Sequence, residues 1–207
     1  MTRVKICGVT DMLDAAVAGG LGAAAIGMVF WPSSPRAIDK ACARQIVASL
    51  PPFISTVGVF VNQIAEAREL AQELRLSAVQ FHGDESIGDC RNIGVPVIKA
   101  IPVRDRSAVR TAMAYPEDVT VLLDAHDPIR RGGTGTPIDW SVAAEISRER
   151  PVVLSGGLNP ENVARAIETV RPWAIDVSSG VESAPGKKDP AKLRALFAAL
   201  HANGGRE

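Results

Sequence analysis

Apolar runs of strand length alternate with amphipathic runs of helix length along the whole chain. The strand pattern falls on Val4–Cys7, Ala24–Phe30, Thr56–Val61, Ala78–His82, Val97–Ile101, Thr120–Asp124, Val152–Ser155 and Ala174–Ser178. The 3.6-residue helical period falls on Asp11–Ala18, Asp39–Leu50, Ile64–Leu74, Glu85–Asn92, Arg106–Tyr115, Ser141–Arg150, Pro160–Val170 and Pro190–Asn203. Asn159-Pro160 and Asp189-Pro190 each put a capping side chain before a proline, a strong helix-start signal.

Strands this apolar are covered on both faces, which predicts a parallel sheet. Eight β-α units predict an α/β fold of one kind, a single (β/α)8 TIM barrel spanning residues 1–207, with short connections because such barrels usually need about 250 residues. An open doubly wound sheet is the competing fold. It would carry a glycine-rich fingerprint after its first strand, and Cys7-Gly8-Val9-Thr10 is not one.

A barrel places function at the carboxyl ends of its strands. There the sequence sets Cys7, His82, Asp124, Ser155-Gly156-Gly157 and Ser178-Ser179-Gly180, with Arg36 in the loop after the second strand. The small-residue turns at Gly156, Gly157, Ser178, Ser179 and Gly180 follow strands seven and eight, the usual phosphate position in such barrels, and Ser155–Leu158 is read as leading into a helix N-terminus. The stretch Ala125–Asp139 holds Arg130, Arg131, Gly132, Gly133 and Gly135; its glycines suit the hinges of a lid loop, and its arginines either approach an anion or stay in solvent.

Asp124 follows Val121-Leu122-Leu123, and a carboxylate there is costly to bury unless paired or protonated. Cys7 is either a small core side chain or a reactive group; an ordinary thiol, with a pKa of about 8.5, is mostly protonated at neutral pH. Lys5 shares a strand face with Cys7 and requires a carboxylate partner if it points inward. Asp176, on the strand that closes the barrel, is the candidate. His82 either bonds a ligand or is a structural histidine, and Arg36, after a stiff Trp31–Pro35 loop, either aims at a carboxylate or lies at the surface. Cys42 and Cys90 read as packing residues.

Composition narrows the classes. The 23 basic and 23 acidic residues cancel, so no long-range field recruits nucleic acid or an anionic membrane. Three scattered cysteines form neither a disulfide framework nor a metal-ligand spacing, which fits a cytoplasmic protein without a metal site. No signal-like or membrane-spanning stretch stands out. Alternation and spacing carry no information on monomer against homodimer.

Taken in order, Lys5–Thr10, Ser34-Pro35-Arg36, Val57–Asn62, Val79–Glu85, Leu122-Leu123-Asp124, Gly132–Gly135, Ser155–Val163 and Asp176–Glu182 resemble the phosphoribosylanthranilate isomerase family of tryptophan biosynthesis. The resemblance covers nearly the whole chain. It implies a cofactor-free Amadori rearrangement of a phosphorylated sugar-anthranilate, with Asp124 as general acid and Cys7 as general base. It further implies that Arg36 contacts the substrate's carboxylate while the glycine and serine turns hold its phosphate; His82 and Asp176, at the same rim, are expected to contact the substrate as well. Phe81 and Ile138 depart from the family's usual residues without touching this chemistry. The competing functions are another phosphosugar isomerase or epimerase, a Schiff-base aldolase using Lys99, and a non-catalytic phosphate-binding barrel.

Overall fold

The computed structural model describes residues 2–125 and 138–204. The eight apolar runs form parallel strands β1 (Arg3–Cys7), β2 (Ala25–Val29), β3 (Ser55–Phe60), β4 (Ala78–Phe81), β5 (Val97–Pro102), β6 (Val119–Asp124), β7 (Val152–Leu154) and β8 (Ala174–Val177). They pair in chain order and close through β8 onto β1. Every strand end lies within one residue of its predicted place.

The helices are α1 (Met12–Gly20), α2 (Lys40–Ser49), α3 (Ile64–Glu73), α4 (Ser107–Ala114), α5 (Trp140–Glu149), α6 (Val163–Val170) and α7 (Pro190–Gly204). Aspartates start several of them: Asp11 accepts from the Asp14 amide, Asp39 from that of Cys42, and Asp189 from that of Ala191.

Two predicted helices are corrected. Glu85–Asn92 is a series of turns rather than a helix. Glu85 points inward to Lys99, Ser86 and Asp89 bond each other in a local turn, and Asn92 takes φ 59°, so the helical period is overridden by side-chain bonds. The helix predicted from Pro160 starts at Val163. Asn159 instead caps a preceding turn, accepting from the Glu161 and Asn162 amides. Ser155–Leu158 therefore does not lead directly into a helix.

A short antiparallel hairpin that the pattern did not predict, β9 (Glu182–Ala184) with β10 (Lys187–Lys188), lies between β8 and α7.

Period-two alternation divides the apolar residues into two layers. Ile6, Ile26, Phe60, Val79, Phe81, Leu123, Leu154 and Ile175 pack outward against the helices. Inside the barrel, Ala100, Leu122, Val153 and Ala174 make a small apolar plug. Two residues further along the same strand faces stand Asp124, Ser155 and Asp176. The plug thus forms a dry floor, and the next interior layer is polar.

Candidate active site

Above the floor opens a cavity of about 700 Å³, lined on its polar side by Cys7, Arg36, His82, Asp124, Asp176 and the turns Ser155–Leu158 and Ser178-Ser179. The structure gathers the predicted rim residues into this one space except Gly180, which packs behind its wall against Leu158. Gly132, Gly133, Gly135, Arg130 and Arg131, the expected lid, lie outside the described residues.

Cys7 ends β1 and is 8 % exposed, resting on Val29 and Val59. Its strand neighbour Lys5 points the same way, and register sets Lys5 beside Asp176 on β8. Lys5 Nζ donates to Asp176 Oδ1 at 2.8 Å, the pairing anticipated from the alternation. Gly27 lies opposite Cys7 on β2, where a Cβ would come within 2.9 Å of Cys7 Sγ and 3.0 Å of Lys5 Cε. The absent side chain is what lets thiol and ammonium share that space.

Burial pushes the Cys7 thiol up, and Lys5 only partly opposes it. Burial pulls the Lys5 ammonium down, but Asp176 and then Cys7 outweigh it, so Lys5 ends above its ordinary value and stays charged.

Arg36 reaches the cavity wall, yet its fork is already engaged. Its Nε and Nη2 donate to Glu182 at 2.9 and 2.6 Å. Glu182 also accepts from Lys188 Nζ at 2.8 Å, and Lys188, whose side chain has no exposed surface, donates onward to the Cys7 carbonyl at 2.6 Å and the Ser178 carbonyl at 3.3 Å. Burial raises the Glu182 carboxyl, but Arg36 and Lys188 more than reverse it, so Glu182 is held as a carboxylate. Lys188 is lowered by its burial despite Glu182.

On the opposite wall, His82 Nε2 lies 3.0 Å from Asp124 Oδ2, and His82 Nδ1 lies 3.0 Å from the Gln80 amide nitrogen. Below the His82 loop, Glu85 accepts from the Asn62 and Gly83 amides and from Lys99. Lys99 is therefore bound in a buried ion pair and does not line the cavity, so the aldolase reading lacks its nucleophile.

The two small-residue turns meet at the third wall. The amides of Gly156 and Gly157 have no acceptor among the described residues. Gly180 packs so closely that a Cβ there would collide with the Leu158 carbonyl oxygen, which fixes the two turns side by side. A single 3-10 turn, Ser179–Val181, supplies the only helical start at these turns among the described residues.

Gln80, Glu182 and Lys188 were not among the expected site residues. Gln80 and Lys188 had a readable signal: a polar residue centred in an apolar strand, and a lysine just before the last helix. The hairpin that brings Lys188 back to the barrel had none.

A closed parallel barrel with a polar cavity at the carboxyl ends of its strands has the architecture of a (β/α)8-barrel enzyme. Residues 4–199 match the N-(5'phosphoribosyl)anthranilate (PRA) isomerase family. The N-(5'-phosphoribosyl)anthranilate isomerase of Hahella chejuensis is 50% identical over 189 residues, 90% of this chain and 88% of that protein. That of Neisseria gonorrhoeae is 48% identical over 198 residues, 95% of each. The crystal structure of the Thermotoga maritima phosphoribosyl anthranilate isomerase superposes with a TM-score of 0.90 at 44% identity, covering 98% of this chain and all of that one. A phosphoribosyl anthranilate isomerase in complex with reduced 1-(o-carboxyphenylamino)-1-deoxyribulose 5-phosphate gives 0.87 at 43% identity, with 98% of this chain and 100% of that one covered. The chain belongs to the phosphoribosylanthranilate isomerase family.

Proposed function

We propose that Asp124 and Cys7 are the acid and base with which this isomerase of tryptophan biosynthesis converts N-(5'-phosphoribosyl)anthranilate to 1-(2-carboxyphenylamino)-1-deoxyribulose 5-phosphate. The supporting observation is that a carboxyl group and a thiol line one cavity from different walls, with a pair of anion-ready turns on a third.

The turns bearing Gly156, Gly157, Ser178, Ser179 and Gly180 hold the phosphate through backbone amides, and Arg36 turns its remaining Nη1 edge to the anthranilate carboxylate. Anchored at both ends, the sugar lies between the two reactive groups, which supplies the orientation that a weak acid and base need. Asp124 protonates the ring oxygen, the C1'–O bond breaks, and the nitrogen lone pair closes a C1'=N bond. Cys7, as thiolate, removes the C2' proton, and the electrons return through C1' to nitrogen. The enolamine gains a proton at C1', loses one from the C2' hydroxyl, and becomes the ketone. No electrons enter or leave.

The thiol is favoured at rest, so the thiolate must be stabilised as it forms; Lys5, Lys188 and the cationic intermediate are the available positive charges. Asp176, through Lys5, keeps that charge in place. The three cysteines are free thiols, and no described helix is long and apolar enough to cross a membrane, which supports the cytoplasmic reading.

Steady-state turnover of the substrate tests the assignment. Cys7→Ala and Asp124→Asn should each lower kcat by about 10²- to 10⁴-fold with little change in KM. Near-normal kcat in either variant rejects that residue's role.

A further inference from the structure

Gln80 stands at the centre of β4 between Val79 and Phe81, points into the barrel, and is 1 % exposed. Its Oε1 is buried without a hydrogen-bond partner among the described residues. Buried amide oxygens are rarely left so, and leucine or methionine would fill the same space without an orphaned acceptor. Packing does not account for a glutamine here.

Its other amide atom does have a contact, 3.0 Å from His82 Nδ1. The amide nitrogen can only donate, so Nδ1 must accept, and an uncharged imidazole then carries its proton on Nε2. That nitrogen lies 3.0 Å from Asp124 Oδ2. Each hydrogen bond in the row is thereby given a direction from Gln80 outward, and Oδ2 is an acceptor whether or not Asp124 holds a proton. Oδ1 receives no hydrogen bond from a described residue.

We propose that Gln80 is a positioning residue which, through His82, reserves Oδ2 as an acceptor and assigns the acid proton of Asp124 to Oδ1, the oxygen left for the substrate. The inference rests on the reading of Asp124 as the acid. The reverse amide orientation would put the proton on Nδ1 and leave an Nε2 lone pair facing Oδ2. A carboxylate would then be repelled, and a carboxylic acid would direct its proton to His82 instead of the sugar. In the assigned orientation, the Nε2 proton also stays in place to stabilise the carboxylate left after transfer, with no group having to turn.

The test is the tautomer of His82 in ¹⁵N-histidine-labelled enzyme at about pH 8, above the ordinary histidine range. The chain has three histidines, and His82→Asn identifies the signal. The expected result is the Nε2–H form in the native enzyme, a mixture of forms in Gln80→Leu, and the Nδ1–H form in Gln80→Glu, which offers an acceptor in place of the donor. Gln80→Leu should lower kcat about ten- to a hundredfold with KM unchanged and no fall in Tm. A native Nδ1–H or imidazolium signal, or a Gln80→Leu enzyme that keeps both tautomer and kcat, overturns the proposal. Full activity in Asp124→Asn overturns the acid assignment instead; the tautomer, read without turnover, reports on Gln80 separately.

Discussion

On one flank of the cavity, Cys7 stands among three cations and two carboxylates, Lys5, Arg36 and Lys188 with Asp176 and Glu182; on the other, Asp124 meets an imidazole backed by an amide. The charged flank carries one surplus positive charge, yet the thiol remains above its ordinary value because burial outweighs the attraction. Nearby cations therefore do not make a resting thiolate. In the proposed mechanism they stand where negative charge appears during proton transfer, whereas the amide and imidazole flank sets which oxygen carries a proton and adds no formal charge through the amide.

The flanks should consequently fail in different ways. Asp176→Ala strands Lys5 in the barrel interior, and urea unfolding should show a loss of about 3–5 kcal/mol, the cost of breaking a buried pair from one side. A loss below about 1 kcal/mol would show that Lys5 does not depend on this partner. Glu182→Gln releases Arg36 and Lys188 together, and steady-state kinetics should give a KM raised about tenfold or more, matching the 1.5–3 kcal/mol of a charged hydrogen bond. An unchanged KM would detach Arg36 from carboxylate binding.

Alkylation of Cys7 by iodoacetamide, followed by peptide mapping to separate it from Cys42 and Cys90, should accelerate about tenfold per pH unit. Because the thiol is raised, the reactive anion grows with pH, and the rise should continue past the ordinary midpoint of about 8.5. A plateau near neutrality would mean that the cations win after all. Smallest of all, Glu73→Ala removes the exposed contacts to Lys40 and Arg44 and should leave Tm and kcat within error.

The strands were legible because a parallel barrel buries both strand faces, so apolar runs mark them directly. The same alternation led from Cys7 to Lys5 and from Lys5 to Asp176. The helical period failed at Glu85–Asn92, where a side chain with helical spacing is turned inward by Lys99, a contact fixed by β5 and invisible in local periodicity. Arg36 was legible as a guanidinium near the rim; its engagement by Glu182 was not, since that contact joins residues 146 apart. Gln80 shows the converse case. It breaks an apolar strand in plain view, but its meaning comes only from the two groups it meets in space.

Lys188 bridges the carbonyls of Cys7 and Ser178, and its partner Cys7 lies 181 positions earlier in the chain. The wall holding the proposed base is thus stitched from two segments far apart in the sequence. During synthesis the first strand emerges with its thiol long before the lysine exists, so this half of the cavity is completed only when the barrel seam closes. Contacts of such sequence separation are slow to form. Competence for turnover should therefore arrive late in folding, with the closing of that seam.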